Sequence, residues 1–169
     1  MPARLPDTIR IDPPDVDLQQ TALVLRQFRV VFNAVRAHFQ RVEKQVGVGG
    51  ALIWALHVIH QQPGIGVNAL AVAMDIHQST ASNLLRQLSA QGLVRTEKSE
   101  QDRRSVKIFV EPSGTNLLRR VTGPYEGVLP DALQRLSPQT IDQLHRNLTE
   151  LIAVLQADED AAQIPLADM

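Results

Sequence analysis

Residues 67–110 read VNALAVAMDIHQSTASNLLRQLSAQGLVRTEKSEQDRRSVKIFV, and this stretch decides the architecture. Apolar residues recur at helical spacing over 67–74, and Asp75-Ile76-His77 reads as a tight turn. Helical spacing resumes over 79–90 and stops at Gly92, the residue type that suits the left-handed position just past a helix end. Residues 93–98 and 106–110 are rich in β-branched and apolar side chains, while 99–105 are polar. That pattern predicts a hairpin with a long, exposed tip.

Working outward, the segment before this unit is helical twice over. Leu18, Ala22, Leu25, Phe28, Phe32, Val35, Phe39, Val42 and Val46 step by threes and fours, which predicts one helix of about 29 residues and roughly 43 Å. Val24 and Val31 lie off that stripe, so the helix should bury more than one face, and a rod this long suggests a second subunit. Gly47, Gly49 and Gly50 end it, and a short, very apolar helix over 51–60 runs to Pro63-Gly64. After Pro112 the pattern is helical, and Gly123-Pro124, Gly127 and Pro130 should bend or break it. The last helix opens with Ser137 as cap and Pro138 in the first helical position. It then repeats Ile141, Leu144, Leu148, Leu151 and Leu155 in a coiled-coil-like stripe.

The expected fold class is therefore mostly α with a small β wing, a winged helix-turn-helix plus a helical dimerisation region. The divisions are a proline-rich flexible arm at 1–17, a dimerisation helix at 18–48, the winged helix-turn-helix at 49–111, dimerisation helices at 112–157 and a frayed acidic tail at 158–169.

Composition narrows the function. The 169 residues are 44% hydrophobic and 21% charged, ordinary for a globular chain, and they include no cysteine. Disulfides, thiolate metal sites, iron–sulfur clusters and cysteine nucleophiles are thereby excluded. No apolar run reaches the ~20 residues of a membrane span, and the first residues lack the apolar core of a signal peptide, so a cytoplasmic protein without membrane contact is expected. The net charge of −1 conceals an uneven distribution. Residues 78–120 hold eight Lys or Arg against four Asp or Glu, whereas 121–169 hold two against eight. A basic block offset by an acidic tail suits a focused nucleic-acid footprint.

Enzymatic readings find little support. Gly47-Val48-Gly49-Gly50 lies between helices and lacks the Lys-Ser/Thr of a phosphate-binding loop, and no serine occupies a nucleophile-elbow setting. No cofactor is implied. His57 and His60 sit three apart on one helix, with His38 on the long helix. Histidines within apolar helices are mostly packing residues, so no metal site is expected, and a metal-sensing form of the protein is kept as an alternative.

A helix fits the DNA major groove, where base edges are distinguishable, and a hairpin can reach an adjacent minor groove or phosphate. Along 78–88 the positions sort by face. Ala81, Leu84, Leu85 and Leu88 point to a core, leaving Gln78, Ser79, Thr80, Ser82, Asn83, Arg86 and Gln87 outward. In the tip, Arg103 and Arg104 offer planar cationic donors to phosphate or a narrow minor groove, and Asp102 is placed to hold an arginine by an ion pair. Arg95, Lys98 and Lys107 are further candidates for backbone contact, Lys107 the weakest of them.

These residues also resemble a family. The run from Val67 to Ile76, then Ser79-Thr80-Ala81-Ser82, Leu88-Ser89-Ala90-Gln91-Gly92-Leu93-Val94, the tip Asp102-Arg103-Arg104-Ser105 and Val110-Glu111-Pro112-Ser113-Gly114 are similar to the MarR family of bacterial transcription regulators. The resemblance runs over about 18–156 and is densest over 65–120. It implies a homodimer that binds double-stranded DNA, usually as a repressor and often released by a small ligand. It assigns the outward residues of 78–87 to groove reading, Arg104 to the wing-tip contact and Asp102 to its support. Gln78 and Asn83 stand where the family often has a basic residue, a departure that suggests A·T-leaning recognition. The resemblance also places an effector between the long helix and the DNA-binding lobe, near His38, Phe39, Trp54 and His57. A dimeric ligand- or protein-binding module without DNA binding is the other alternative.

Overall fold

The computed structural model describes residues 17–98 and 106–168. Among the described residues seven helices and one antiparallel strand pair follow one another: α1 (Leu18–Val46), α2 (Gly50–Gln61), α3 (Val67–Ala73), α4 (Gln78–Ala90), β1 (Val94–Lys98), β2 (Val106–Val110), α5 (Pro112–Arg120), α6 (Val128–Gln134) and α7 (Pro138–Leu155). Short 3-10 turns at Glu159–Gln163 and Leu166–Asp168 close the chain. The mostly α fold with a small β wing is thus as expected, and α1 has the expected bounds.

α2 is the hub. Its Ile53, Ala55, Leu56 and Ile59 are at most 1% exposed, because a helix apolar all round can be stable only with neighbours on every side. α3, α4, α5, the hairpin and the second half of α1 supply them. Leu70, Met74, Leu88 and Ile108 complete the deepest layer, each side chain contributing about 1.5–3 kcal/mol relative to exposure.

The helix-turn-helix is fixed by its backbone. The turn after α3 is made by Asp75 in the left-handed region (φ 51°), and Ile76 closes it, its amide donating to the carbonyl of Ala71 at 3.0 Å. α4 ends in a paired-bond cap. Gly92 (φ 67°) donates to the Ser89 carbonyl and Leu93 to the Leu88 carbonyl, both at 3.0 Å, and Leu93 is buried behind them. β1 and β2 then pair antiparallel from Val94 opposite Val110 to Lys98 opposite Val106. Ile65 bridges to Ile108 and ties the loop before α3 to the hairpin. Gly114 in α5 lies against the Leu93 carbonyl, where any Cβ would collide.

α1 and α7 are different. Only Val35, His38 and Val42 of α1 are buried, and α7 buries no residue within one chain. Pro130 departs from expectation. It sits in the first turn of α6, where its missing N–H breaks no helical hydrogen bond, so the helix runs through it; Gly123-Pro124 and Gly127 do interrupt the chain between α5 and α6. α5 packs on α2, β2 and α1. The end of the chain is not frayed as expected. Beyond α7 it turns back, buries Pro165 and packs Ala167 on the core.

Candidate nucleic-acid interface

α4 carries the candidate surface. Its inner face, Ala81, Leu84 and Leu88, is almost fully buried, with Leu85 half-buried beside them. Of the residues expected to face outward, Gln78, Ser79, Asn83, Arg86 and Gln87 are exposed, while Thr80 and Ser82 are half-buried. They lie on one helix, so their mutual positions are rigid. The Arg86 guanidinium donates to Asn83 Oδ1 at 2.7 Å, which orients both planar groups. His77 caps the helix start with its backbone alone, so the first-turn amides have no side-chain acceptor from the cap residue.

The hairpin provides the second half. Arg95 is held on three sides: Glu97 at 3.0 Å, Glu111 at 3.9 Å, and the Phe109 ring beneath its guanidinium at 4.9 Å. It is therefore less available as a free cation than the sequence suggested, and β-strand register, which places Arg95 opposite Phe109, is the reason. Lys98 and Lys107 are exposed near the open end of the hairpin. Asp102, Arg103 and Arg104 lie outside the described residues.

The four proposed pocket residues separate into two pairs. Phe39 and Trp54 line one cavity, together with Met74, Ile76, Pro130 and Pro165. His38 and His57 do not line it. His38 is 3% exposed and its Nε2 donates to the Pro124 carbonyl at 3.2 Å. His57 stacks on the Tyr125 ring, centroids 4.1 Å apart. Burial lowers the pKa of both imidazoles. The Arg41 charge adds to this at His38 and His60 adds to it at His57; the Pro124 hydrogen bond and Glu126 oppose it. Both histidines are packing residues with partners of their own. Among the described residues no group of three or more His, Asp or Glu could hold a metal ion, so the three-histidine arrangement of the metal-sensing alternative does not form. Tyr125 was not singled out from the sequence, and only its position after the Gly123-Pro124 break hinted that it turns inward.

Residues 46–105 match the MarR family model, and the fold is that of the winged helix-turn-helix regulators solved in this family. One relative is a protein of Thauera aromatica named as a candidate transcriptional regulatory protein for the hcr operon, 34% identical over 88 residues. That match covers 52% of this chain and 53% of the relative, so it spans only about half of that protein. Another is the HTH-type transcriptional regulator TtmR of Methylorubrum extorquens strain PA1, 25% identical over 95% of this chain and 80% of that one. Among solved structures, S. aureus MepR in its DNA complex is 26% identical, covers 77% of this chain and 96% of its own, and has a TM-score of 0.56. Sco3205, a MarR family regulator of Streptomyces coelicolor solved with DNA, shares the fold at 22% identity. Its TM-score is 0.57, over 88% of this chain and 95% of its own. Among the described residues no helix is long and apolar enough to cross a membrane.

Proposed function

We propose that this chain regulates transcription as a homodimer that binds double-stranded DNA sequence-specifically, each protomer presenting α4 to a major groove of an inverted-repeat operator. The observation that carries the reading is the polar outer face of α4 set rigidly on a buried inner face, next to a hairpin. The regulator names of the relatives and the DNA bound to MepR support it. Gln78, Ser79, Thr80, Ser82, Asn83, Arg86 and Gln87 are the groove-reading residues in this proposal. Arg103 and Arg104 take the wing contact, with Asp102 supporting them.

Dimerisation would occur through α1 and α7. Leu25, Val31 and Phe32 of α1 and Leu148, Leu151 and Ile152 of α7 are large apolar side chains left 36–56% exposed in the single chain. Together with Phe28 the two helices line an apolar cleft containing Val24, Leu25, Phe32, Leu151 and Leu155. Exposed apolar surface on this scale is characteristic of an interface. Repression would follow from occupying the operator, and a small molecule would relieve it by favouring one lobe separation over another.

Retention of genomic fragments at rising salt tests the reading. Specific fragments should be retained at low salt and released steeply as salt rises, because Lys and Arg displace counterions from phosphate. If no fragment is retained above non-specific background at low salt, DNA binding is excluded and a ligand- or protein-binding dimer takes its place.

A further inference from the structure

Beyond α7 the chain reverses at Gln156, which adopts the left-handed conformation (φ 50°), and runs back over the body of the protein. Pro165 becomes buried, and Leu166 and Ala167 reach the start of α2. There Ala167 lies so close to Gly50 that a Cβ on Gly50 would stand 3.0 Å from it and would also collide with the Phe39 ring. The returning segment roofs a cavity of about 180 Å³ whose floor is Phe39, Trp54, Met74 and Ile76. Among the described residues the buried indole Nε1 of Trp54 has no hydrogen-bond partner.

Two features distinguish this segment from ordinary core. Among the described residues its backbone hydrogen bonds are local: Ala157 to Ile152, Ala161 to Asp158, and Ile164 to Ala161. Apolar contact, not a shared ladder, holds Pro165 to Ala167 in place, so the segment can leave without breaking the fold. The surface beneath it joins three parts of the molecule: Phe39 of α1, Trp54 of α2, and Ile76 in the turn leading into α4.

We propose that residues 161–167 are a built-in occupant of this cleft, an intramolecular ligand that an incoming small molecule must displace. The molecule that fits is small and largely apolar, to match Phe39, Met74 and Ile76. The proposal does not depend on DNA binding, and its test needs no DNA.

Trp54 is the single tryptophan of the chain, so its fluorescence reports on this cleft alone. The experiment uses the full chain and the variants Ala167→Arg and Pro165→Asp, which put a long cation or a charge where there is room for neither. Trp54 emission, acrylamide quenching, far-UV circular dichroism and binding of 1-anilinonaphthalene-8-sulfonate are measured for each. Both variants should keep wild-type helicity, shift emission to the red, raise the quenching constant about twofold or more, and bind the probe at least about fivefold more tightly. Wild-type emission and quenching in both variants would overturn the proposal. So would unfolding of both, which would make the segment part of the core. Exposure of Trp54 without tighter probe binding would also defeat it, since a vacated cleft must then accept an apolar guest.

Discussion

If α4 reads DNA as proposed, the hydrogen bond between Arg86 and Asn83 links recognition to geometry. Asn can present paired donor and acceptor atoms to adenine, and Arg presents a fork to guanine. Here Arg86 spends one donor on Asn83 Oδ1, so the pair faces outward in a fixed orientation. Asn83→Ala should relax base preference by ~1–3 kcal/mol at one position per half-site while leaving binding to other sequences nearly unchanged, measured by competition with single-base operator variants. A uniform loss across all variants would assign Asn83 to phosphate contact instead. Arg104→Ala should act in the opposite way, weakening binding to every sequence and making the salt dependence shallower by about one unit of slope.

Buried histidine gives a second consequence at this scale. The His38 imidazole has its pKa lowered mainly by burial, so the folded chain resists protonating it. The unfolded chain titrates it near the ordinary value of 6.5. As pH falls below that value the unfolded state takes up protons first, and stability drops until the folded pKa is passed. His57 has the same sign. Denaturation midpoints should therefore decline from pH 7.5 to about 5.5, and His38→Phe should flatten part of that decline. An unchanged slope in His38→Phe would place the pH dependence elsewhere.

Secondary-structure elements were the most legible level of the sequence, and the reasons are local. α1 was bounded by its apolar stripe and by the glycines after it; in the structure Asp17 caps its start, accepting from the Gln19 amide at 2.9 Å, and Gly47 takes the left-handed position after its end. Ser137 does the same for α7, accepting from Thr140 N at 3.2 Å ahead of Pro138. Ser137→Ala should cost ~1 kcal/mol in a chemical denaturation midpoint, while Ser137→Asp should restore most of it. The inner face of α4 was legible too, since burial follows the 3.6-residue period. Contacts between distant residues were not. Nothing near Arg95 in sequence foretells that Phe109 lies under it and Glu111 beside it, because strand register sets both. The acidic composition of 158–169 suggested solvent, yet the few apolar residues beyond the acidic run, Pro165 and Ala167 among them, decide where the segment rests. The separation of His38 and His57 from Phe39 and Trp54 likewise depends on how the α5–α6 connection folds inward, with the Pro124 carbonyl and the Tyr125 ring as partners.

In the proposed dimer, the decisive quantity is the distance between the two copies of α4. In the proposed complex one winged lobe offers few cations to DNA: Arg86 on α4, the exposed Lys98 and Lys107, and, by sequence, Arg103 and Arg104. With so few phosphate contacts a single lobe should bind weakly and with a shallow salt slope. Two lobes fixed in one dimer contribute together, because the second binds at the high effective concentration set by the first. They can do so only if the two reading helices are spaced by about one helical turn of DNA, ~34–36 Å. α1 and α7 hold that spacing in the proposed dimer, and the apolar side chains they leave uncovered are its cement. Leu148→Asp places a charge in that surface without touching α4, the hairpin or the core. It should convert the dimer to monomer in analytical ultracentrifugation and abolish specific operator retention, while far-UV circular dichroism keeps the winged lobe's helices. In the wild type, moving the two half-sites apart by five base pairs should lower affinity as severely, because the second α4 then faces the wrong side of the duplex. A protein that binds the respaced operator equally well, or a Leu148→Asp chain that still sediments as a dimer, would remove α1 and α7 from the control of DNA recognition.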